Sequence, residues 1–180
     1  MHHRQRQSVI LALLDAMQNK GSWCGETHLQ KAAYFLEELT KVDLGLDFIL
    51  YKHGPFSFLL RDELTAMRAD YLIELESLYP YGPRLKVTEP GKKLMGNWSK
   101  TLEESKSKIG FVAEHLGNLN VAELERITTA HYVSKQEQDQ DTDSRARHIH
   151  QIKPHLSVEE AREAIISVEK IVKEYNSANV

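Results

Sequence analysis

Leu72-Ile73-Glu74-Leu75-Glu76-Ser77-Leu78, then Tyr79-Pro80-Tyr81-Gly82-Pro83, then Arg84-Leu85-Lys86-Val87-Thr88 form one continuous stretch. The outer pieces alternate apolar and charged residues, as half-buried strands do, and the middle piece is built of turn formers. Folding the stretch about Pro80 sets Ile73 opposite Val87, Leu75 opposite Leu85, Glu74 opposite Lys86 and Glu76 opposite Arg84. That single register matches apolar with apolar and acid with base. A slip of one residue would send each side chain to the wrong face. The sequence therefore predicts an antiparallel hairpin whose outer face carries two opposite-charge pairs, each worth ~0.2–1 kcal/mol.

Helical periodicity surrounds this hairpin. On its N-terminal side, Val9, Ile10, Leu13, Leu14 and Met17 form one stripe of a first helix, which Gly21 ends. A second helix follows, with Thr27 as the expected N-cap and Leu29, Ala32, Ala33, Leu36 and Leu39 as its buried stripe. Gln30 and Lys31 fall off that stripe. Leu46 to His53 reads as a strand stopped by Gly54-Pro55. A third helix, capped by Ser57, is expected to turn Leu60, Leu64, Met67 and Tyr71 inward.

On the other side, Thr88 caps a fourth helix and Pro90 is tolerated in its first turn. Met95, Trp98, Leu102, Ser105, Ile109, Val112, Leu116 and Leu119 recur in steps of three and four, a 3.5-residue seam. Gly110 and Gly117 are possible break points, so one helix or two remain open. Val121, Leu124, Ile127 and His131 mark a fifth helix. Ser134 to His148 is polar and reads as a loop. Ser157 and Glu160 have capping-box spacing at the start of a last helix with the stripe Val158, Ala161, Ile165, Val168 and Val172.

The fold class expected is α+β, mostly helical. The order helix, helix, strand, helix, hairpin, helix gives a winged-helix-like core over residues 1–100, with the middle strand and the hairpin in one small antiparallel β-sheet. Residues 101–180 form a C-terminal helical extension packed on the core as a single compact unit.

Composition limits the function classes. The chain has 180 residues, 23 Lys+Arg and 26 Asp+Glu, for a net charge of -3; its pI is near 6.3. That excludes a strongly basic nucleic-acid binder at whole-chain level. The single cysteine, Cys24, excludes an intramolecular disulfide and fits a reducing compartment, so a cytoplasmic location is expected. The longest apolar run, Val9 to Leu14, is far short of the ~20 residues that span a bilayer, so no membrane role is expected. Met1-His2-His3-Arg4 leads into a helical pattern with no small-residue cleavage site, so no signal peptide is read.

Chemical motifs are sparse. His148, His150 and His155 lie close in sequence, but no Cys pair or HExxH helix supports a metal site. Asp139, Asp141 and Asp143 resemble the start of a calcium loop, yet Ser144 stands where the turn needs Gly and His150 where a bidentate Glu is needed. Cys24 with His28 is the single thiol pairing, and Cys24 also reads as a small buried hydrophobe beside Trp23. No phosphate-binding glycine loop is present. The expectation is no enzyme, no cofactor and no metal.

Three motifs carry a family resemblance. Leu29-Gln30-Lys31-Ala32-Ala33-Tyr34-Phe35 resembles the L-Q-K-x-x-Y-F helix of the Panacea antitoxin-domain family, also called SocA-like. Tyr51-Lys52-His53-Gly54-Pro55-Phe56-Ser57 resembles that family's Y-x-x-G-P-F-S turn, found also in YwgA-like bacterial proteins. Lys153-Pro154-His155-Leu156-Ser157 is similar to a K-P-H-F-S segment of some members. The resemblance covers residues 8 to 100 well and the remainder loosely. It implies a small bacterial or phage-associated protein that neutralises or recruits a partner protein, a toxin among the candidates, without catalytic residues.

The simplest reading of these motifs is core construction, with Phe56 or Phe58 plugging the corner between sheet and helix. The binding reading places the partner surface at Tyr51, His53 and Phe56 together with Gln30 and Lys31, taken as exposed. Burial of a partner's active face by apolar surface is the expected mechanism, and the apolar seam also allows a homodimer. The alternative is a winged-helix DNA-binding transcriptional regulator using Arg84, Lys86, Lys92 and Lys93. The charge count ranks it lower: residues 72–110 hold seven basic and five acidic residues, net +2, and residues 111–180 eight and twelve, net -4.

Overall fold

A computed structural model describes residues 1–80 and 82–178. Tyr81, which the sequence assigns to the hairpin turn, lies outside the described residues, as do residues 179 and 180. In chain order the elements are α1 (His3–Asn19), α2 (Glu26–Glu38), β1 (Ile49–Tyr51), β2 (Gly54–Phe56), α3 (Phe58–Ala69), β3 (Ile73–Glu76), β4 (Arg84–Val87), α4 (Glu89–Asn97), α5 (Ser99–Leu116), α6 (Val121–Gln136), α7 (Thr142–Ile152) and α8 (Val158–Ala178). The protein is mostly helical α+β, with two separate two-stranded antiparallel sheets.

The core is organised around α1. Val9, Ile10, Leu11, Leu13, Leu14 and Met17 are fully buried, so the expected stripe is widened into a nearly all-round apolar helix. It packs against α2, α4 and α5. Its polar start is anchored as well. Arg6 donates to Glu63 Oε2 through Nε (3.1 Å) and Nη2 (2.8 Å), and Gln7 Nε2 donates to Glu63 Oε1 at 2.7 Å. Glu63 is thus a buried carboxylate of α3 satisfied by α1, as a buried charge must be.

The hairpin register is the expected one: Ile73↔Val87, Glu74↔Lys86, Leu75↔Leu85 and Glu76↔Arg84. Arg84 Nε donates to Glu76 Oε2 at 2.6 Å, and Lys86 lies 3.8 Å from Glu74. The hairpin is tied to the end of α1 and to the α1–α2 loop, since Gln18 Nε2 donates to Leu85 O and Leu85 N donates to Cys24 O. Thr88 caps α4 by accepting from Gly91 N. A Cβ on Gly91 would collide with the Leu72 carbonyl, so glycine is what lets α4 begin against the end of β3.

Several expectations are corrected. The middle strand shrinks to Ile49–Tyr51 and pairs with Gly54–Phe56, not with the β3–β4 hairpin. The chain reverses at Lys52-His53, so its own next residues take the β1 edge. α5 ends with Gly117 as its C-cap, one of the two expected break points, while Gly110 lies within continuous helix; the seam before it is two helices, and the further break falls at Trp98 (ψ 29°). A break there leaves the seven-residue step from Met95 to Leu102 intact, so the spacing does not reveal it. The polar run Ser134 to His148 is not one loop. α6 continues through Gln136, and Asp141 caps α7 by accepting from Ser144 N at 2.8 Å. α7 buries only Ala146 and Ile149. Charge pairs to α8 support it: Arg145 with Glu169 at 2.7 Å and Arg162 with Asp143 at 2.8 Å. Gly25, not Thr27, occupies the N-cap of α2. Tyr71 follows α3 at φ 55° and is 77% exposed rather than inward-facing.

Candidate functional site

The site grows from the short β1–β2 turn. Tyr51 pairs with Gly54, leaving Lys52 and His53 at the tip. Gly54 has φ +85°, which favours glycine, and a Cβ there would meet Thr129 Oγ1 at 3.1 Å and Thr128 Oγ1 at 3.3 Å. Glycine therefore allows both the reversal and the close seating of the turn on α6.

Two residues of α2 hold the turn from below. Gln30 Nε2 donates to Ser57 O, and Gln30 Oε1 accepts from Ser57 N, both at 2.9 Å. Lys31 Nζ donates to Pro55 O at 2.7 Å. Gln30 and Lys31 are 0% and 1% exposed, which corrects the expectation that they form an outward surface. Their polar atoms are buried because irregular backbone 24 to 27 residues downstream needs partners. Burial pushes the Lys31 ammonium down to about 8, with Glu125 opposing and Lys153 reinforcing that shift.

Lys153 holds the turn from the other side. Its Nζ donates to Tyr51 O at 2.6 Å and Lys52 O at 2.5 Å. Beneath it lies the buried Glu125 of α6, with Oε1 3.7 Å from Lys153 Nζ and 3.2 Å from His155 Nε2. His53 Nδ1 is 3.5 Å from the other oxygen, Oε2. These are ion-pair distances; Glu125 Oε1 has no partner in hydrogen-bonding geometry, and neither has Thr129 Oγ1 one turn on. Burial also lowers the Lys153 pKa, against the attraction of Glu125. Thus the three segments that carry the family resemblance, far apart in sequence, meet at one turn.

The outer face of that turn is aromatic. The ring centroids of Tyr51, Phe56 and Phe58 lie 5.1–5.7 Å apart. The Arg61 guanidinium sits 5.0 Å over Phe58. Ile49, Tyr51, Phe58 and Leu59 are 46%, 53%, 41% and 50% exposed, a cluster where lone exposed apolar residues would be unremarkable. Beside it a cleft of about 230 Å3 is lined by Thr27, Gln30, Lys31, Tyr51, His53 and Phe56 among others. Phe58, Lys153 and Glu125 were missed as site residues. Lys153 had a signal in its own motif; Glu125 had none.

The remaining candidates lie elsewhere. Arg84, Lys86 and Lys92 are ion-paired with Glu76, Glu74 and Glu89, and Lys93 is exposed. Cys24 is fully buried, and burial pushes its thiol up to about 12, partly offset by Ser22. Burial lowers the His28 pKa. His148 pairs with Glu137, and His150 Nδ1 lies 2.6 Å from Leu156 O. Among the described residues no group of three His, Cys, Asp or Glu side chains is arranged to hold a metal ion. Nor is any helix among them long and apolar enough to cross a membrane.

Comparison with models of known families returned no match, and comparison with curated proteins returned none either.

Proposed function

We propose that this chain is a non-enzymatic, protein-binding regulator, antitoxin-like in the sense of the Panacea resemblance, which neutralises or recruits a partner protein in the cytoplasm. The observation that carries the proposal is the aromatic cluster of exposed Tyr51 and Phe58 with half-buried Phe56, displayed on a turn whose carbonyls are capped by Lys31 and Lys153. A rigid aromatic anchor loses little conformational freedom on docking, which is why such residues dominate binding energy at interfaces. In this reading Tyr51, Phe56, Phe58 and His53 touch the partner. Gln30 and Lys31 act as positioning residues underneath. The helix order around α3 and the β3–β4 hairpin supports a winged-helix-like description of the core. The DNA alternative has less support, because three of its four cations are already paired.

The test is capture from a host lysate with the full chain against a Tyr51→Glu/Phe58→Glu variant, after circular dichroism has shown both to be folded. One stoichiometric protein held by the native chain and lost with the variant is expected. Equal capture by both, or capture of nucleic acid alone that weakens steeply with salt, overturns the reading.

A further inference from the structure

A second cavity, sharing no lining residue with the turn, opens where the end of α2 meets α6 and α8. Its volume is about 720 Å3, within the ~300–1,000 Å3 of small-molecule sites. Leu39, Val168 and Val172 give it apolar walls.

Two polar groups of α6 interrupt those walls. His131 is 7% exposed, and its Nδ1 lies 2.8 Å from the Tyr34 hydroxyl. That is the one hydrogen bond recorded for either side chain among the described residues. A buried hydroxyl must place its hydrogen, so Tyr34 donates and Nδ1 accepts. The neutral ring then carries its own hydrogen on Nε2. Burial supports the neutral state, holding the imidazole down at about 4. Ser134 follows three residues later on the same helical face, and its Oγ is buried without a partner. Both groups line the cavity.

Charge at the rim is unbalanced. Lys135 is paired with Glu38, and Glu169 with Arg145. Lys41 and Lys173, also at the rim, have no carboxylate partner among the described residues. Lys41 Nζ donates to a backbone carbonyl, that of Glu38.

We propose that this groove binds a small monocarboxylate with an aliphatic tail, its oxygens accepting from His131 Nε2 and, once a χ1 rotation uncovers it, from Ser134 Oγ, near Lys41 and Lys173, its tail lying on Leu39, Val168 and Val172. Two donors match the two oxygens of a carboxylate. The apolar walls match a hydrocarbon chain and give nothing to a compact phosphate. The proposal stands apart from the partner-binding turn, so either can fail alone.

The test titrates the full chain with sodium decanoate below its micelle concentration, following heat and backbone and histidine chemical shifts. One saturable site is expected, with shifts at the His131 ring, Ser134, Val168 and Val172. Decanol, which lacks the charge, should bind about tenfold more weakly. Ser134→Ala and Lys173→Glu should each weaken decanoate measurably; Val172→Trp, at a half-exposed position, should block it without needing a change in the core. Absence of saturable binding, equal affinity for decanol, or shifts confined to the Tyr51–Phe58 face overturns the proposal. Decanoate failing while an acidic amphipathic peptide shifts the same residues assigns the groove to a protein segment instead, and overturns it too.

Discussion

The side chain of Gln30 satisfies both backbone groups of Ser57, donating to its carbonyl and accepting from its N–H, at 2.9 Å each. One amide thereby substitutes for a missing strand neighbour at the point where β2 gives way to α3. Gln30→Ala leaves the buried Ser57 N–H unpaired, at about 1–3 kcal/mol, while the Ser57 carbonyl keeps the Arg61 N–H as a donor. A loss of about 1–3 kcal/mol is expected in urea unfolding, with a lower midpoint and an unchanged slope. Gln30→Glu should not rescue it, because its carboxylate would be a buried charge set against the Ser57 carbonyl oxygen. A cost under about 1 kcal/mol would show that water enters and replaces the amide.

Two glycines should respond to the same change with opposite sign. Gly54→Ala puts a Cβ at φ +85° and 3.1 Å from Thr129 Oγ1, and should cost about 1–3 kcal/mol. Gly110→Ala lies inside α5, where a Cβ meets nothing within 4 Å, and should add about 0.5–1 kcal/mol. Thermal unfolding of the pair reads both signs in one experiment. Equal shifts for the two would refute the seating of the turn on α6.

His131 predicts how stability depends on acid. Burial holds its folded pKa down at about 4, with Glu38 opposing, against ~6.5 in an unfolded chain. Between those values the unfolded state binds more protons, so stability falls as pH drops from 6.5 toward 4 and is flat above that window for this group. The loss amounts to about 3 kcal/mol, at about 1.4 per pH unit. Denaturant unfolding of the native chain and of His131→Gln at a series of pH values isolates it. If both lose stability equally over the window, the imidazole is not held neutral.

Cys24 should be unreactive. Its thiol is fully buried and pushed up to about 12 by desolvation, so almost no thiolate exists at neutral pH. Modification by a disulfide reagent should proceed only as fast as the chain opens, and should accelerate in urea. Immediate reaction in native buffer would show the thiol to be accessible and ionised, against its burial.

The parts of the fold visible in sequence share one property: both partners lie close along the chain. The Glu74–Lys86 and Glu76–Arg84 pairs are separated by a single turn, so alternation and charge fix the register together. Ser57 and Thr88 cap helices that begin at the next residue. What stayed hidden depends on distant partners. Gln30 and Lys31 look exposed on a helical wheel, and only a backbone segment beyond Gly54 gives them a reason to be buried. Similarly, α7 offers two buried side chains, Ala146 and Ile149, too few to make a period. The spacing of Asp141 and Ser144 was its one local sign. Of the candidate site, Tyr51, His53 and Phe56 were legible from their motif. Glu125 was not, because a single acid on a helix of mixed composition looks like any solvated one.

The capping of Tyr51 and Lys52 by Lys153 also has a bearing on synthesis. While a ribosome is still making the chain, the hairpin tip emerges about a hundred residues before the lysine that steadies it. At ~5–20 residues per second, the aromatic face spends seconds outside the tunnel without its final support. Its finished shape becomes available only after Lys153 has left the tunnel as well.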